Sequence, residues 1–206
     1  MTPRLQTDTR DRILEAATHL FWEKSYADTA VSEILDRADA NSGSFYYFFK
    51  SKGDLLLAVL DRYIHLLPSA ILEPAFSRTE DPIERIFAIL SGYRAALIET
   101  GCTFGCPIGK LSLEIGGEQI GVHRKIAENF ANWAEAVREC LAAAADRLPP
   151  DTDMRALSQF VLAVMEGGVM QARSHRSLEP FDACVAQLRD YFNLLLSSGS
   201  HQRSHS

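Results

Sequence analysis

Apolar residues recur at three- and four-residue spacing along most of the chain, and strand-like alternation is almost absent, which predicts an all-α fold. From Thr9 to Lys24, Ile13, Ala16, Ala17, Leu20 and Phe21 share one helical face, with Asp8 or Thr9 as the cap. Thr29 offers a cap to a short helix carrying Val31, Ile34, Leu35 and Ala38, and Asp39 and Ala40 form a turn. "NSGSFYYFF" follows as a very short helix. Ser51 with Asp54 makes a capping box that opens a longer helix through Leu67, closed by Pro68. Asp81 caps a helix with Pro82 in its first position, and a loop, "GCTFGCPIG", feeds another helix started by Pro107. A long amphipathic helix runs up to Pro149 and Pro150, and two more begin near Asp153 and Phe181. The pattern predicts about nine helices with a seam between Leu67 and Asp81. It divides the chain into an N-terminal three-helix unit over 1–50, joined by the helix from about residue 52, a second helical unit over 51–197, and a flexible tail over 198–206.

At 100° per residue, Phe45, Phe48 and Phe49 fall within about 60° of one direction and form a core face. Gly43, Ser44, Tyr46 and Tyr47 lie away from it or flank it, so the opposite face is thin enough for close approach. Lys50 and Lys52 follow at the C-terminal end, where they can reach phosphates. A preceding helix and a turn of about four residues give helix-turn-helix spacing, with the second helix offered to the major groove of DNA. The competing reading is an aromatic packing element without a partner.

Charge sharpens this picture. The 206-residue chain carries a net charge of -6, so a polyanion feels no global attraction and any DNA contact must be local. Residues 1–60 hold seven Lys or Arg against nine Asp or Glu, yet Ala40 to Gly53 has two lysines and no acid. The predicted contact face is therefore positive within a mildly acidic domain. Hydrophobic residues make up 47% of the chain, enough for one substantial core or two small ones. The four cysteines and the lack of a secretory pattern over Met1 to Arg10 fit a reducing cytoplasm, and apolar runs such as "FVLAVM" fall short of a membrane span.

The segment from about Thr9 to Tyr63 resembles the N-terminal domain of the TetR (tetracycline-repressor) family of bacterial transcriptional regulators. The likeness rests on features in order: Phe21 and Tyr26, Thr29, the Ile34 to Ala38 helix, Gly43-Ser44-Phe45-Tyr46-Tyr47, Phe49, and Lys50-Ser51-Lys52. It implies that Thr29, Tyr46 and Lys52 hold phosphates, that Ser32, Ser42, Gly43 and Tyr47 lie nearest base edges, and that Asn41, Ser44 and Lys50 belong to the same surface. Asp39 stands where a turn glycine is common, Ala40 where a branched apolar residue is, and Phe48 where histidine is. Asp tolerates the left-handed conformation such a turn needs.

For the C-terminal helices the resemblance implies a ligand cavity and a dimer interface, hence a repressor released from an inverted-repeat operator by a small apolar or aromatic effector. Candidate cavity residues are Phe87, Tyr93, Cys106, Ile108, Leu111, Phe130, Trp133, Phe160, Met165 and Met170; the alternative for each is ordinary core. The last two helices carry the stripes expected of a homodimer interface, namely Leu157, Phe160, Val164 and Ala172, then Val185, Leu188, Tyr191, Phe192 and Leu195, with Gly167 and Gly168 permitting close approach. A twofold dimer would space the recognition helices by about 34 Å or somewhat more. Cys106, directly before Pro107 at a helix start, is a candidate thiol sensor, or the nucleophile of a small thiol enzyme, against the reading of an inert apolar side chain. No catalytic arrangement, metal motif or cofactor fingerprint is present in the sequence. The expected partners are double-stranded DNA, a small-molecule effector and a second copy of the chain.

Overall fold

The computed structural model describes residues 3–116 and 119–203, with side chains within 8–199. Every regular element among them is helical, in the order α1 (Pro3–Glu23), α2 (Val31–Ala38), α3 (Ser42–Phe48), α4 (Lys52–Leu67), a π-turn (Pro68–Leu72), α5 (Glu73–Phe76), α6 (Pro82–Glu99), α7 (Pro107–Glu114), α8 (Ile120–Ala143), α9 (Met154–His175) and α10 (Glu179–Arg203). Nine match the helices read from the pattern, and the tenth is α5.

Four local expectations need correction. α1 starts at Pro3, where a fixed φ suits the first turn, so Asp8 lies inside the helix and faces Arg12 at 3.8 Å instead of capping. The N-cap of α2 is Ala30, not Thr29; the Glu33 carboxylate accepts the Ala30 N–H at 3.0 Å. Pro68 does not stop the helical run. Lacking an N–H, it is accommodated by a wider turn in which Glu73 N–H donates to the Pro68 carbonyl. Residues 198–203, read as tail, continue α10. The other caps stand as read: Asp81 accepts the N–H groups of Ile83 and Glu84 at 2.8 and 3.1 Å, and Ser51 accepts that of Asp54 at 3.1 Å.

The chain forms two compact units, one of residues 1–65 and 107–129, the other of 66–106 and 130–206. In the first, Ile13, Ala17 and Phe21 of α1, Ile34 of α2, Phe45 of α3 and Leu55, Leu56, Val59 and Leu60 of α4 make a closed apolar core. The Tyr63 hydroxyl donates to the Thr18 carbonyl at 3.1 Å, and the buried Asn129 amide donates to Leu60 and Lys125 carbonyls at 3.1 and 2.9 Å. By length and composition alone the helical run Lys52–Phe76 would suffice to cross a membrane, which the sequence reading had not allowed. Its amphipathic start is packed in this core, however, and mid-run Asp61 pairs with Lys125 at 2.6 Å.

In the second unit α6, α9 and α10 share a core. Phe87 meets Phe192 edge-on with centroids 5.5 Å apart, and the Arg189 guanidinium lies 3.3 Å from the Phe87 centroid. Arg94 clasps Asp182 through two hydrogen bonds of 2.7 and 2.9 Å, which holds that carboxyl below its ordinary range. Gly168 lets α9 approach α10, since a Cβ there would lie 3.0 Å from the Phe181 ring; at Gly167 a Cβ would meet nothing.

Candidate nucleic-acid interface

α2 ends because Asp39 adopts the left-handed conformation, φ 46° and ψ 54°, where a non-glycine residue needs a reason to stay. Arg12 supplies it: its Nη1 donates to the carbonyls of Ala38 and Asp39 at 2.7 and 3.1 Å, neutralising the C-terminal end of α2. Two residues later Asn41 caps α3, its Oδ1 accepting the Ser44 N–H at 2.8 Å. A Cβ on Gly43 would stand 3.2 Å from that Oδ1, so the glycine leaves room for the cap.

Seven residues of α3 then divide as periodicity demands. Phe45 is buried and Phe49 closes the helix inside the core, while Tyr46 and Tyr47 are 64% and 70% exposed. Phe48 departs from the expected core face: it is half-buried and packs edge-on against Tyr47 at 4.9 Å. Asn41, Ser42, Gly43 and Lys50 are exposed beside the two tyrosines, Ser44 is half-buried, and Ser32 is exposed on α2. These six positions and Tyr46 and Tyr47 therefore differ from the remaining two candidates. Thr29 is buried and donates its hydroxyl to the Ser25 carbonyl at 2.6 Å. Lys52 donates its ammonium to the Tyr26 carbonyl and sits 4.4 Å from the Tyr26 ring centroid. Burial lowers the pKa of Lys52, against the opposing pull of Glu114, Asp28 and Glu33.

α7 adds something the sequence did not suggest. Lys110 donates to the carbonyls of Trp22, at 2.9 Å, and Lys24, at the C-terminal end of α1; Glu114, one turn on, accepts the N–H groups of Tyr26, at 3.0 Å, and Ala27. One i,i+4 pair of opposite charges thus grips both polarities of the α1–α2 turn. Only the spacing Lys-x-x-x-Glu in "GKLSLE" hinted at it.

The candidate effector residues scatter. The Tyr93 and Trp133 rings meet at a 55° tilt with centroids 5.0 Å apart in the second unit, and Cys106 and Met165 are buried there. Phe87 is committed to the α6–α10 core, Phe130 is half-buried, Met170 is 56% exposed, and Phe160 meets Tyr191 at 5.7 Å on an open groove with Pro149 and Leu195. Ile108 and Leu111 are buried in the first unit with α7. The interface stripes divide as well. Leu157, Ala172, Leu188 and Phe192 face their own subunit's core, whereas Phe160 and Tyr191 face outward and Val164, Val185 and Leu195 are half-buried.

Comparison with known proteins places these features. A profile described as bacterial regulatory proteins, tetR family, matches residues 13–59, and one described as transcriptional regulator LmrA/YxaF-like, C-terminal domain, matches residues 82–187. An uncharacterized HTH-type transcriptional regulator of Mycobacterium tuberculosis is 31% identical over 193 residues, covering 91% of this chain and 94% of its own. The HTH-type transcriptional repressor DhaR of Mycobacterium sp. strain GP1 is 28% identical, over 86% of this chain and 88% of that one. In fold, the crystal structure of a transcriptional regulator from Cytophaga hutchinsonii superposes with a TM-score of 0.81 at 19% identity, covering 96% and 98% of the two chains.

Proposed function

The chain belongs to the TetR family of bacterial regulatory proteins, and from that premise we propose how it works as a ligand-responsive DNA-binding transcriptional regulator. α3 enters the major groove of one operator half-site. The observation that carries this is the outward pair Tyr46 and Tyr47, two large rings left 64% and 70% exposed on a capped helix within a stretch, Ala40 to Gly53, that carries no acid. Tyr46 and Lys50 hold phosphates, and Tyr47, Ser42 and Gly43 approach base edges. Thr29 and Lys52 act differently from the sequence expectation: they fix the turn from which α2 starts, and Lys52 adds long-range positive potential.

The regulator is a homodimer, joined through the outward faces of α9 and α10, and its operator is an inverted repeat. It represses, as the name of its relative DhaR states of that protein, and a small molecule bound in the second unit releases it. It acts in the cytoplasm, where the DNA is, and it catalyses no reaction. Against the alternative thiol enzyme stands the setting of Cys106: the thiol is buried and hydrogen-bonds an acid, Glu166.

Selection of bound sites from random duplexes tests the reading. The expected product is an inverted repeat, bound by the wild type, bound more weakly at every sequence by Tyr46→Ala, and bound with altered preference by Tyr47→Ala. Enrichment of no sequence, or a site unchanged by both variants, removes α3 as the reader.

A further inference from the structure

Glu166 is an anomaly in α9. It directly follows the apolar run "FVLAVM", and its Oε1 is buried without a hydrogen-bond partner. The carboxylate receives a hydrogen bond from the Cys106 thiol, a weak donor. Around it the second unit supplies aromatic surface: Tyr93 lies within electrostatic reach of both Cys106 and Glu166, accepts a hydrogen bond from Trp133, and meets that indole at a 55° tilt with ring centroids 5.0 Å apart. Burial raises the pKa of Glu166, the sign of a carboxyl held away from water.

A buried acceptor left without a donor destabilises the fold, and native chains retain few such atoms. The Trp133 N–H is committed to Tyr93, and the Cys106 thiol, which already bonds this carboxylate, is too weak a donor to satisfy it. The missing partner must donate a hydrogen bond and tolerate a carboxylate, which excludes anions and pure acceptors. An ammonium group meets both demands and gains further from the faces of Tyr93 and Trp133. A body attached to it would be apolar, because the residues buried nearby in α9 are Val161, Met165 and Val169.

We propose that Glu166 is the polar anchor of the effector site in the second unit and that the effector is an amphipathic organic amine, its N–H directed at Oε1 and its apolar body against Trp133 and Tyr93. This rests on the ligand-responsive reading above and specifies the chemistry of its ligand.

Trp22 and Trp133 are the two tryptophans of the chain, so Trp22→Phe makes Trp133 the sole indole reporter. In that background 4-phenylbutylamine is expected to change Trp133 emission saturably, whereas 4-phenylbutyrate, with the same body and opposite charge, is not. Glu166→Gln should weaken the amine at least about tenfold, as expected when a charge-assisted hydrogen bond is lost. Equal binding of the two probes, no amine binding, or unchanged amine affinity in Glu166→Gln overturns the proposal. A second variant separates anchor from scaffold: Glu166→Met should raise the thermal midpoint by about 2 °C or more, because it removes an unpaired buried acceptor, and a lowered midpoint makes the carboxylate structural. Operator binding, measured on the same preparations, keeps the two readings apart. A protein that binds its operator but no amine retains the regulator reading without this anchor, and one that binds the amine but no duplex retains the anchor without the regulator.

Discussion

Glu114 accepts the backbone N–H of Tyr26 at 3.0 Å across 88 residues of sequence. The bond joins the last residue of α7 to the turn between the first two helices, and Lys110 completes it from one helical turn away. Glu114→Gln keeps the shape but loses the charge that strengthens two N–H bonds. It should cost about 1 kcal/mol in urea unfolding and speed hydrogen exchange at the Tyr26 and Ala27 amides while leaving those of α8 unchanged. Wild-type exchange at both amides would show that the turn holds itself.

The dimer prediction depends on which apolar residues the subunit already uses. Phe192 is fully buried against Phe87, so Phe192→Asp should abolish the cooperative melt, whereas Leu194 and Tyr191 are 68% and 42% exposed. Leu194→Asp and Tyr191→Asp should keep wild-type helicity and sediment as monomers at micromolar concentration. With one half-site's phosphate contacts remaining, operator affinity should fall along with assembly. A dimer that survives both substitutions lies elsewhere.

The adjacent glycines of α9 should respond oppositely. Gly168→Ala brings a Cβ to 3.0 Å from the Phe181 ring and 3.4 Å from its Cα, and the backbone cannot yield as a side-chain tip can. A loss of about 1–3 kcal/mol follows. Gly167→Ala meets no atom in the subunit and should gain about 0.5–1 kcal/mol from lower chain entropy. Equal effects in chemical denaturation would contradict the observed packing of α9 on α10.

What the sequence discloses depends on the range of the interaction. The cap of Asn41 on α3 and the inward Phe45 and Phe49 are settled within four residues, and periodicity with turn chemistry finds them, whereas the left-handed Asp39 is legible as a turn but not the Arg12 that holds it from 27 residues away. Thr29 reads as a phosphate ligand because its hydroxyl's local choice, the Ser25 carbonyl, competes invisibly with an outside partner. Lys110 and Glu114 escape notice because they serve backbone groups far along the chain. The stripe on α10 shows an apolar face but not which half meets its own core, so Leu188 and Phe192 look like interface residues until Phe87 is seen beside Phe192.

Glu166 gives a pH signature that needs no ligand. Burial raises its folded-state pKa, partly offset by the Cys106 thiol, with Tyr93 the other titratable group facing it. The folded chain therefore holds this proton to higher pH than the unfolded chain does. Below the unfolded value, about 4.3, both states are protonated and the residue contributes no pH dependence. As pH rises from there through the raised folded value, the unfolded state ionises first and the fold loses stability; above both values the loss is constant. Glu166→Gln removes the titration, so the stability difference between variant and wild type, measured by urea unfolding from pH 4 to 8, should grow in the variant's favour and then level off. Tyr93, held well above its ordinary range, stays neutral throughout that window and leaves the curve to Glu166. A difference that is flat with pH, or one that shrinks as pH rises, means the carboxyl is already ionised and satisfied in the fold, and Oε1 then has a partner.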